Sequence, residues 1–197
     1  RKLKVVIASF NEGKIKEFRH LFKDSNYELV SLGEFSKKDI KEIGLSYEEN
    51  SLIKAKEASK ITKLPALADD SGLEVRALNG NPGLYSARFA GEKSSDESNN
   101  KKLLKKLLNK SDRKAKFIAS LAFVDTKKEI QLFSFGELEG EITTKESGEN
   151  GFGYDPLFKI KNLSKTLSEI SFQERMIFSH RAKATRRMIK YLDSVYK

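Results

Sequence analysis

The chain has 197 residues, with 38 Lys and Arg against 28 Asp and Glu, 13 Phe, 6 Tyr and no Cys. This length and aromatic content fit one globular domain with a buried core, and they exclude a disordered chain. The lack of Cys excludes a disulfide scaffold, a Cys-ligated zinc site and thiol catalysis.

The charge and hydropathy narrow the choice of partners. No apolar run approaches the roughly 20 residues that cross a bilayer, and the first residues carry no signal-peptide pattern. We therefore expect no membrane partner and a cytoplasmic location. A net charge of +10 favours a nucleic-acid hypothesis. Against it, the sequence has no helix-turn-helix, ribonucleoprotein or zinc-finger pattern.

The first part of the sequence alternates strand-like and helix-like patterns. Leu3–Ala8 is a short run rich in Val and Ile and predicts a buried strand. A helical spacing of apolar residues begins at Lys14, and residues 48–62 predict a second helix with acids near its start. Ala66–Ala68 is expected to lead into an acidic turn, followed by a half-buried strand that reaches Ala77.

The second part predicts a helix, a hairpin and a final helix. Four leucines at helical spacing form an apolar stripe, and the lysines of 101–106 are expected on its solvated face. Residues 117–124 predict a central strand, and residues 130–135 its hairpin partner. The last helix is predicted from about Ser179. Together these patterns indicate an α/β protein with a mixed sheet. The leucines of the stripe are Leu103, Leu104, Leu107 and Leu108.

Two motifs directly follow predicted strands. The first runs from Ser9 to Lys14 and offers free backbone N–H groups for a phosphate, or a simple helix cap and tight turn. It lacks the residues of a Walker A loop. The second is Asp69-Asp70-Ser71-Gly72, whose carboxylates suit Mg²⁺ or a solvated turn.

Three later motifs add binding groups. Residues 79–89 form a Gly- and Pro-rich loop in which Arg88 is able to bind a phosphate or close an ion pair. Residues 150–156 place two glycines around Phe152, which suits stacking on a base or packing in the core. Ser179-His180-Arg181 lies at the predicted start of the last helix. Together the motifs contain the parts of a nucleotide enzyme.

Six motif blocks in this order closely resemble the inosine/xanthosine triphosphate pyrophosphatase family. They span residues 5 to about 185, nearly the whole chain. The blocks are Ser9-x-Asn11-x-x-Lys14, Ser46-Tyr47-x-Glu49-Asn50-x-x-x-Lys54-Ala55, Asp69-Asp70-Ser71-Gly72-Leu73, Pro82-Gly83-x-Tyr85-Ser86-Ala87-Arg88, Gly151-Phe152-Gly153-Tyr154-Asp155-Pro156 and Ser179-His180-Arg181.

The resemblance implies an elongated two-lobed α/β fold around a long mixed sheet, with a cleft between the lobes and no separable linker across 1–197. It implies a homodimer that hydrolyses a small purine nucleoside triphosphate (ITP, dITP or XTP) with Mg²⁺ to the monophosphate and pyrophosphate. Nucleic acid is then not an expected partner.

The resemblance also implies roles for individual residues. Asp70 would bind the metal and act as general base, and Glu42 would be the second metal ligand, with Glu49 as the alternative. Arg175 stands where many relatives have Lys. The residues implied to bind substrate are Ser9, Phe10, Asn11, Glu12, Gly13, Lys14, Ser71, Phe152, Gly153, Tyr154, Asp155, Arg175, His180 and Arg181.

Overall fold

A computed structural model of the chain, which describes residues 1–196, contains six strands and five α-helices. Three β-branched residues, Val5 to Ile7, are fully buried and favour the extended backbone of the first strand. The strands are β1 (Leu3–Ile7), β2 (Tyr27–Ser31), β3 (Ala66–Val75), β4 (Lys114–Asp125), β5 (Ile130–Ile142) and β6 (Phe158–Ile160). The helices are α1 (Glu12–Phe22), α2 (Tyr47–Thr62), α3 (Asp96–Lys106), α4 (Phe172–Phe178) and α5 (His180–Val195).

The strands form one mixed sheet in the order β2-β1-β3-β4-β5-β6. Strand β1 pairs in parallel with β2 and β3, whereas β5 and β6 are antiparallel. Only residues 126–129 join the neighbouring strands β4 and β5, and a connection this short makes a hairpin. The predicted α/β class with a mixed sheet is therefore confirmed.

The chain divides into two compact units. The first comprises Arg1–Asp70, Ala119–Gly136 and the described part of Arg181–Lys197, and the second comprises Ser71–Ile118 and Glu137–His180. The prediction of a single domain without a separable linker stays a prediction.

Helices pack on both faces of the sheet in the first unit. One face of β1 packs with Phe18 of α1 and Met188 of α5, and the other packs with Ala55 and Ala58 of α2. Strand β4 also contributes alternate side chains to both clusters, as expected for a strand buried on both faces. The second unit has its own core, which includes Leu73, Phe117 and Phe158.

Two details of the sequence prediction are wrong near the third strand. Asp69 and Asp70 do not lie in a turn at a strand end, because β3 runs without interruption from Ala66 to Val75. Both carboxylates are buried and have polar partners there, which lets the strand continue through them. Ala77 lies in a short 3-10 helix (Arg76–Leu78) rather than in the strand.

The leucine stripe of α3 is shorter than predicted. Leu103 and Leu107 are fully buried, but Leu108 lies beyond the helix and is 71% exposed. Lys102 is not on a purely solvated face, since its Nζ donates to the Phe89 carbonyl oxygen at 2.7 Å and lies 4.5 Å from the Phe89 ring centroid. Strands β2 and β6 and helix α4 were not predicted.

Replacing a buried leucine and replacing an exposed leucine should change the free energy of unfolding by very different amounts. Replacing the fully buried Leu121 with Ala should cost about 3 kcal/mol, because it leaves a cavity between sheet and helices. Leu108→Ala, the matched control, should change the free energy of unfolding by less than about 0.5 kcal/mol. Urea unfolding measures both, and equal losses would contradict this packing.

Candidate active site

The turn between β1 and α1 is built as a helix cap. Asn11 is the N-cap residue, and its Oδ1 accepts a hydrogen bond from the Lys14 backbone N–H at 3.1 Å. The Asn11 N–H in turn donates to Ser9 Oγ at 3.1 Å. Phe10 and Glu12 are exposed, so the first turn of α1 presents its free N–H groups and its positive dipole end at the surface.

Asp69 is a buried carboxylate held by cations from two helices. Its Oδ2 lies 2.8 Å from Lys14 Nζ of α1, and its Oδ1 lies 3.6 Å from Arg181 Nε of α5. Lys54 of α2 also donates to the Asp69 carbonyl oxygen. Burial opposes ionisation, but the charges of Lys14, Arg181 and Lys54 outweigh it and hold the pKa of Asp69 far below its usual value.

Arg181 completes a buried ion-pair chain in the first unit. Its side chain is 2% exposed, and Nη1 lies 3.2 Å from Glu17 Oε1, which is equally buried. The contacts Lys14–Asp69–Arg181–Glu17 hold the ammonium group of Lys14, a residue of the first turn of α1, on the Asp69 carboxylate. The predicted role of Arg181 at the base stays a prediction.

Next to these ion pairs, Asp70 and Glu42 form an acidic pair. Asp70 Oδ2 accepts from Asn50 Nδ2 at 3.0 Å, and Glu42 Oε2 lies 3.5 Å from Lys54 Nζ. Burial and a hydrogen bond with Glu42 raise the pKa of Asp70 to about 8. The pKa of Glu42 is lowered: burial raises it, but the hydrogen bond with Asp70 and the charge of Lys54 outweigh that effect. The two carboxyl groups therefore share a proton.

Sequence reasoning missed Asn50 as part of this cluster. Its amide is buried and bridges two segments, because Oδ1 accepts from the Gly44 N–H at 2.7 Å while Nδ2 donates to Asp70. The spacing of Asn50 and Lys54, four residues apart in a motif on a predicted helix, was the available signal. Glu49, the alternative metal ligand, accepts from the Leu45 N–H at 3.0 Å.

The acidic pair has the chemistry of a magnesium site. Within residues 1–196, no group of three or more His, Asp or Glu side chains is arranged to hold a metal ion. Mg²⁺ commonly takes one or two carboxylates and completes its shell with waters and substrate phosphates. Two carboxylates that need a proton to coexist fit such a cation, whereas Asp69 is already neutralised by Lys14 and Arg181.

In the second unit, the loop Gly151–Asp155 is fixed by one carboxylate. Asp155 Oδ2 accepts from the Phe152 N–H at 2.9 Å and lies 2.5 Å from Arg175 Nη1. Gly151 has φ of +78°, and a Cβ there would stand 2.2 Å from that same oxygen. The Arg175 guanidinium also lies over the Phe152 ring, 5.3 Å from its centroid.

Other predicted residues of the second unit are placed as follows. The His180 ring is buried and stacks on Phe117 with centroids 4.8 Å apart. Tyr154 is buried and donates to the Ser86 carbonyl oxygen at 2.6 Å. Ser71 is half-buried in β3. A separate cavity of about 910 Å³ is lined by residues of β3, β4, β5 and β6 and of the segments that follow β3 and β6, about half of them charged, and includes none of the predicted site residues.

Comparison with known proteins decides the family. The model of the Ham1 family matches residues 5–191. The chain belongs to the Ham1 family. It is 43% identical over 190 residues to a Staphylococcus aureus protein named dITP/XTP pyrophosphatase, with 96% of each chain covered. A Bacillus licheniformis protein of the same name is 44% identical over 192 residues, covering 96% of this chain and 97% of the relative.

Solved structures of Ham1 proteins share the fold. A HAM1 protein from Coxiella burnetii is 39% identical, with a TM-score of 0.90 over 98% of this chain and 100% of that one. The Staphylococcus aureus Ham1 protein is 42% identical, with a TM-score of 0.87 over 97% and 98%. The family resemblance read from the six motif blocks is thus confirmed.

The acidic pair predicts how stability depends on pH without metal. Folded Asp70 keeps a proton up to about pH 8, whereas the unfolded group loses it near pH 4. Between these values the unfolded chain binds fewer protons, so stability falls as pH rises. Asp70→Asn, which stays neutral, should flatten this fall and raise the unfolding temperature at pH 8. Thermal unfolding in EDTA from pH 5 to 8 measures this, and parallel curves for both proteins would contradict it.

Proposed function

We propose that this Ham1 protein hydrolyses the non-standard purine nucleotides ITP, dITP and XTP to the monophosphate and pyrophosphate with Mg²⁺. The observation that carries the proposal is the acidic pair of Asp70 and Glu42, held by Asn50 and Lys54, beside the Lys14–Asp69 ion pair. The names of relatives at 43% and 44% identity support the same substrates. The role is removal of deaminated purines from the nucleotide pool.

The first unit supplies the groups for the triphosphate. Ser9 to Lys14 present backbone N–H groups, the Asn11 cap and the positive end of α1 to phosphate oxygens. Lys14 Nζ, oriented by Asp69 at 2.8 Å, stabilises the negative charge that develops on the departing pyrophosphate.

Glu42 and Asp70 would hold Mg²⁺. When bound, this ion neutralises charge on phosphate oxygens and lowers the pKa of water. The oxygen of a water molecule attacks the α-phosphorus, and the bond from that phosphorus to the bridging oxygen of the β-phosphate breaks. Asp70, which would give up its own proton when Mg²⁺ binds, would accept the proton of the attacking water as a carboxylate. Asn50 holds Asp70 Oδ2 in place during the transfer.

Base recognition is proposed, on the family resemblance, for Phe152 to Asp155 with Arg175, His180 and Arg181. A donor from His180 or Arg181 would meet the 6-oxo acceptor of hypoxanthine or xanthine. Adenine carries an amino donor at that position, and two facing buried donors cost about 1–3 kcal/mol.

The family resemblance also supports a homodimer acting on the cytoplasmic nucleotide pool. A measurement of the molar mass in solution tests the dimer.

A substrate panel tests the proposed specificity. With Mg²⁺ present, kcat/KM for ITP, dITP and XTP should exceed that for ATP and GTP by at least about 100-fold, because the base site discriminates by hydrogen bonds. Pyrophosphate release measures each rate. Equal cleavage of GTP, or a preference for UTP or CTP, would reject the specificity.

Removing the proposed general base tests the chemistry. Asp70→Asn should lower kcat for ITP by about 10²–10⁴-fold, since the amide accepts no proton and binds Mg²⁺ poorly. Circular dichroism should show an intact fold. The exposed Asp24→Asn is the matched control and should keep full activity. Near-normal turnover in Asp70→Asn would remove this residue from the mechanism.

A further inference from the structure

Helix α3 forms hydrogen bonds with both backbone polar groups of Gly153, the middle residue of the loop Gly151–Asp155. Asp96 Oδ2 accepts from the Gly153 N–H at 2.9 Å, and Asn100 Nδ2 donates to the Gly153 carbonyl oxygen at 3.1 Å. Asp96 and Asn100 stand four residues apart and therefore share one face of the helix. Their two hydrogen bonds fix the orientation of both peptide groups that flank the Cα of Gly153.

The backbone at Gly153 needs such support. Its φ of +61° lies in the left-handed region, and a Cβ there would meet nothing within 4 Å. Glycine visits this region freely but also leaves it freely, so its conformation must be set from outside. Within the loop, Asp155 binds the Phe152 N–H, and the contacts with Asp96 and Asn100 hold the next residue.

The buried side chain of Asn100 has one polar atom without a hydrogen-bond partner among the described residues. The residue is 3% exposed, and its Oδ1 has no hydrogen-bond partner within residues 1–196. Its Nδ2 also lies 3.4 Å from Glu146 Oε1. Burying an amide oxygen without a partner costs free energy, so the bond from Nδ2 to Gly153 is kept at a cost to stability.

Other residues anchor α3 independently of this contact. Asn99 Oδ1 accepts from the Ala90 N–H at 2.8 Å, and Asn99 Nδ2 donates to the Ala87 carbonyl oxygen at 3.1 Å. Ser95 caps the helix, and Leu103 packs in the core of the second unit. Loss of Asp96 or Asn100 side-chain contacts therefore leaves the helix attached.

We propose that Asp96 and Asn100 are positioning residues for base selectivity, acting through Gly153 on the loop that carries Phe152 and Tyr154. The proposal rests on the proposed function, in which this loop contacts the purine. Neither residue touches the reacting phosphates in that function. Their loss should weaken base binding and selectivity while leaving the chemical step unchanged.

The test uses Asp96→Ala and Asn100→Ser in the full chain. Glu97→Ala is the matched control, because it removes the other carboxylate of the first turn of α3. Asp96→Asn is the rescue variant, since its amide oxygen still accepts from Gly153. The readouts are kcat and KM for ITP and GTP, the Kd of IMP, the inhibition constant of pyrophosphate and the unfolding temperature.

Both variants should raise the Kd of IMP and reduce the selectivity for ITP over GTP by about tenfold, the effect of a loosened binding loop. The kcat for ITP and the inhibition by pyrophosphate should stay within about twofold, as expected when only base binding changes. Asp96→Asn should restore most of the selectivity, and Glu97→Ala should not alter it.

A fall in unfolding temperature with unchanged IMP affinity and selectivity would overturn the proposal, as would equal effects from Glu97→Ala. If Asn100→Ser does not fold, the exposed Asp96 decides the question alone. Turnover of ITP by the unaltered protein, measured first, tests the proposed function separately.

Discussion

The buried carboxylate of Asp69 organises the chemistry of the first unit. A charge in the middle of a buried strand is tolerable only with close opposite charges, and Lys14 and Arg181 supply them. Because these cations come from α1 and α5, one carboxylate ties two helices to β3. Lys14 lies in the capped first turn of α1, so the pairing also joins the start of that helix to β3.

The same arrangement separates the roles of two adjacent acids. Successive side chains of a strand point to opposite faces, so Asp69 and Asp70 meet different partners. Asp69 is neutralised by cations and stays ionised. Asp70 meets the carboxyl group of Glu42 and the amide of Asn50, and it keeps a proton. Two buried carboxyl groups that repel each other when both are ionised are suited to bind a cation together with a phosphate substrate.

The second unit follows a different principle, in which glycines and hydrogen bonds define a loop. Gly151 leaves room for Asp155, and Gly153 adopts a left-handed backbone held by α3. Lys101, Lys105 and Lys106 of this helix are exposed, as predicted for a solvated face. The polar residues Asp96, Asn99 and Asn100 of the same segment hydrogen-bond to the backbone of two motif segments.

Local patterns predicted much of the fold, and the order of the six motif blocks predicted the family. Strands β1 and β4 and helices α1, α2 and α5 were predicted because the pattern of their apolar residues is clear. Helix α4 was missed although Ser171 and Glu174 form a capping box, a signal present in the sequence.

The prediction of an acidic turn was wrong because the contacts that keep Asp69 and Asp70 in a strand are tertiary contacts. Two consecutive Asp residues favour a turn unless buried partners accept them, and Lys14 and Arg181 lie far away along the chain. Asn50 was missed although its spacing from Lys54 was a signal, because its contacts with Gly44 and Asp70 depend on the tertiary fold.

The most direct test of this account is the stability of Asp69→Asn measured by urea unfolding at pH 7. The variant removes the buried charge that Lys14 and Arg181 both contact, leaves Arg181 paired with Glu17 alone among the ion pairs described above, and should lower the free energy of unfolding by about 3–5 kcal/mol. Unchanged stability, with only catalysis affected, would show that Asp69 does not organise the first unit.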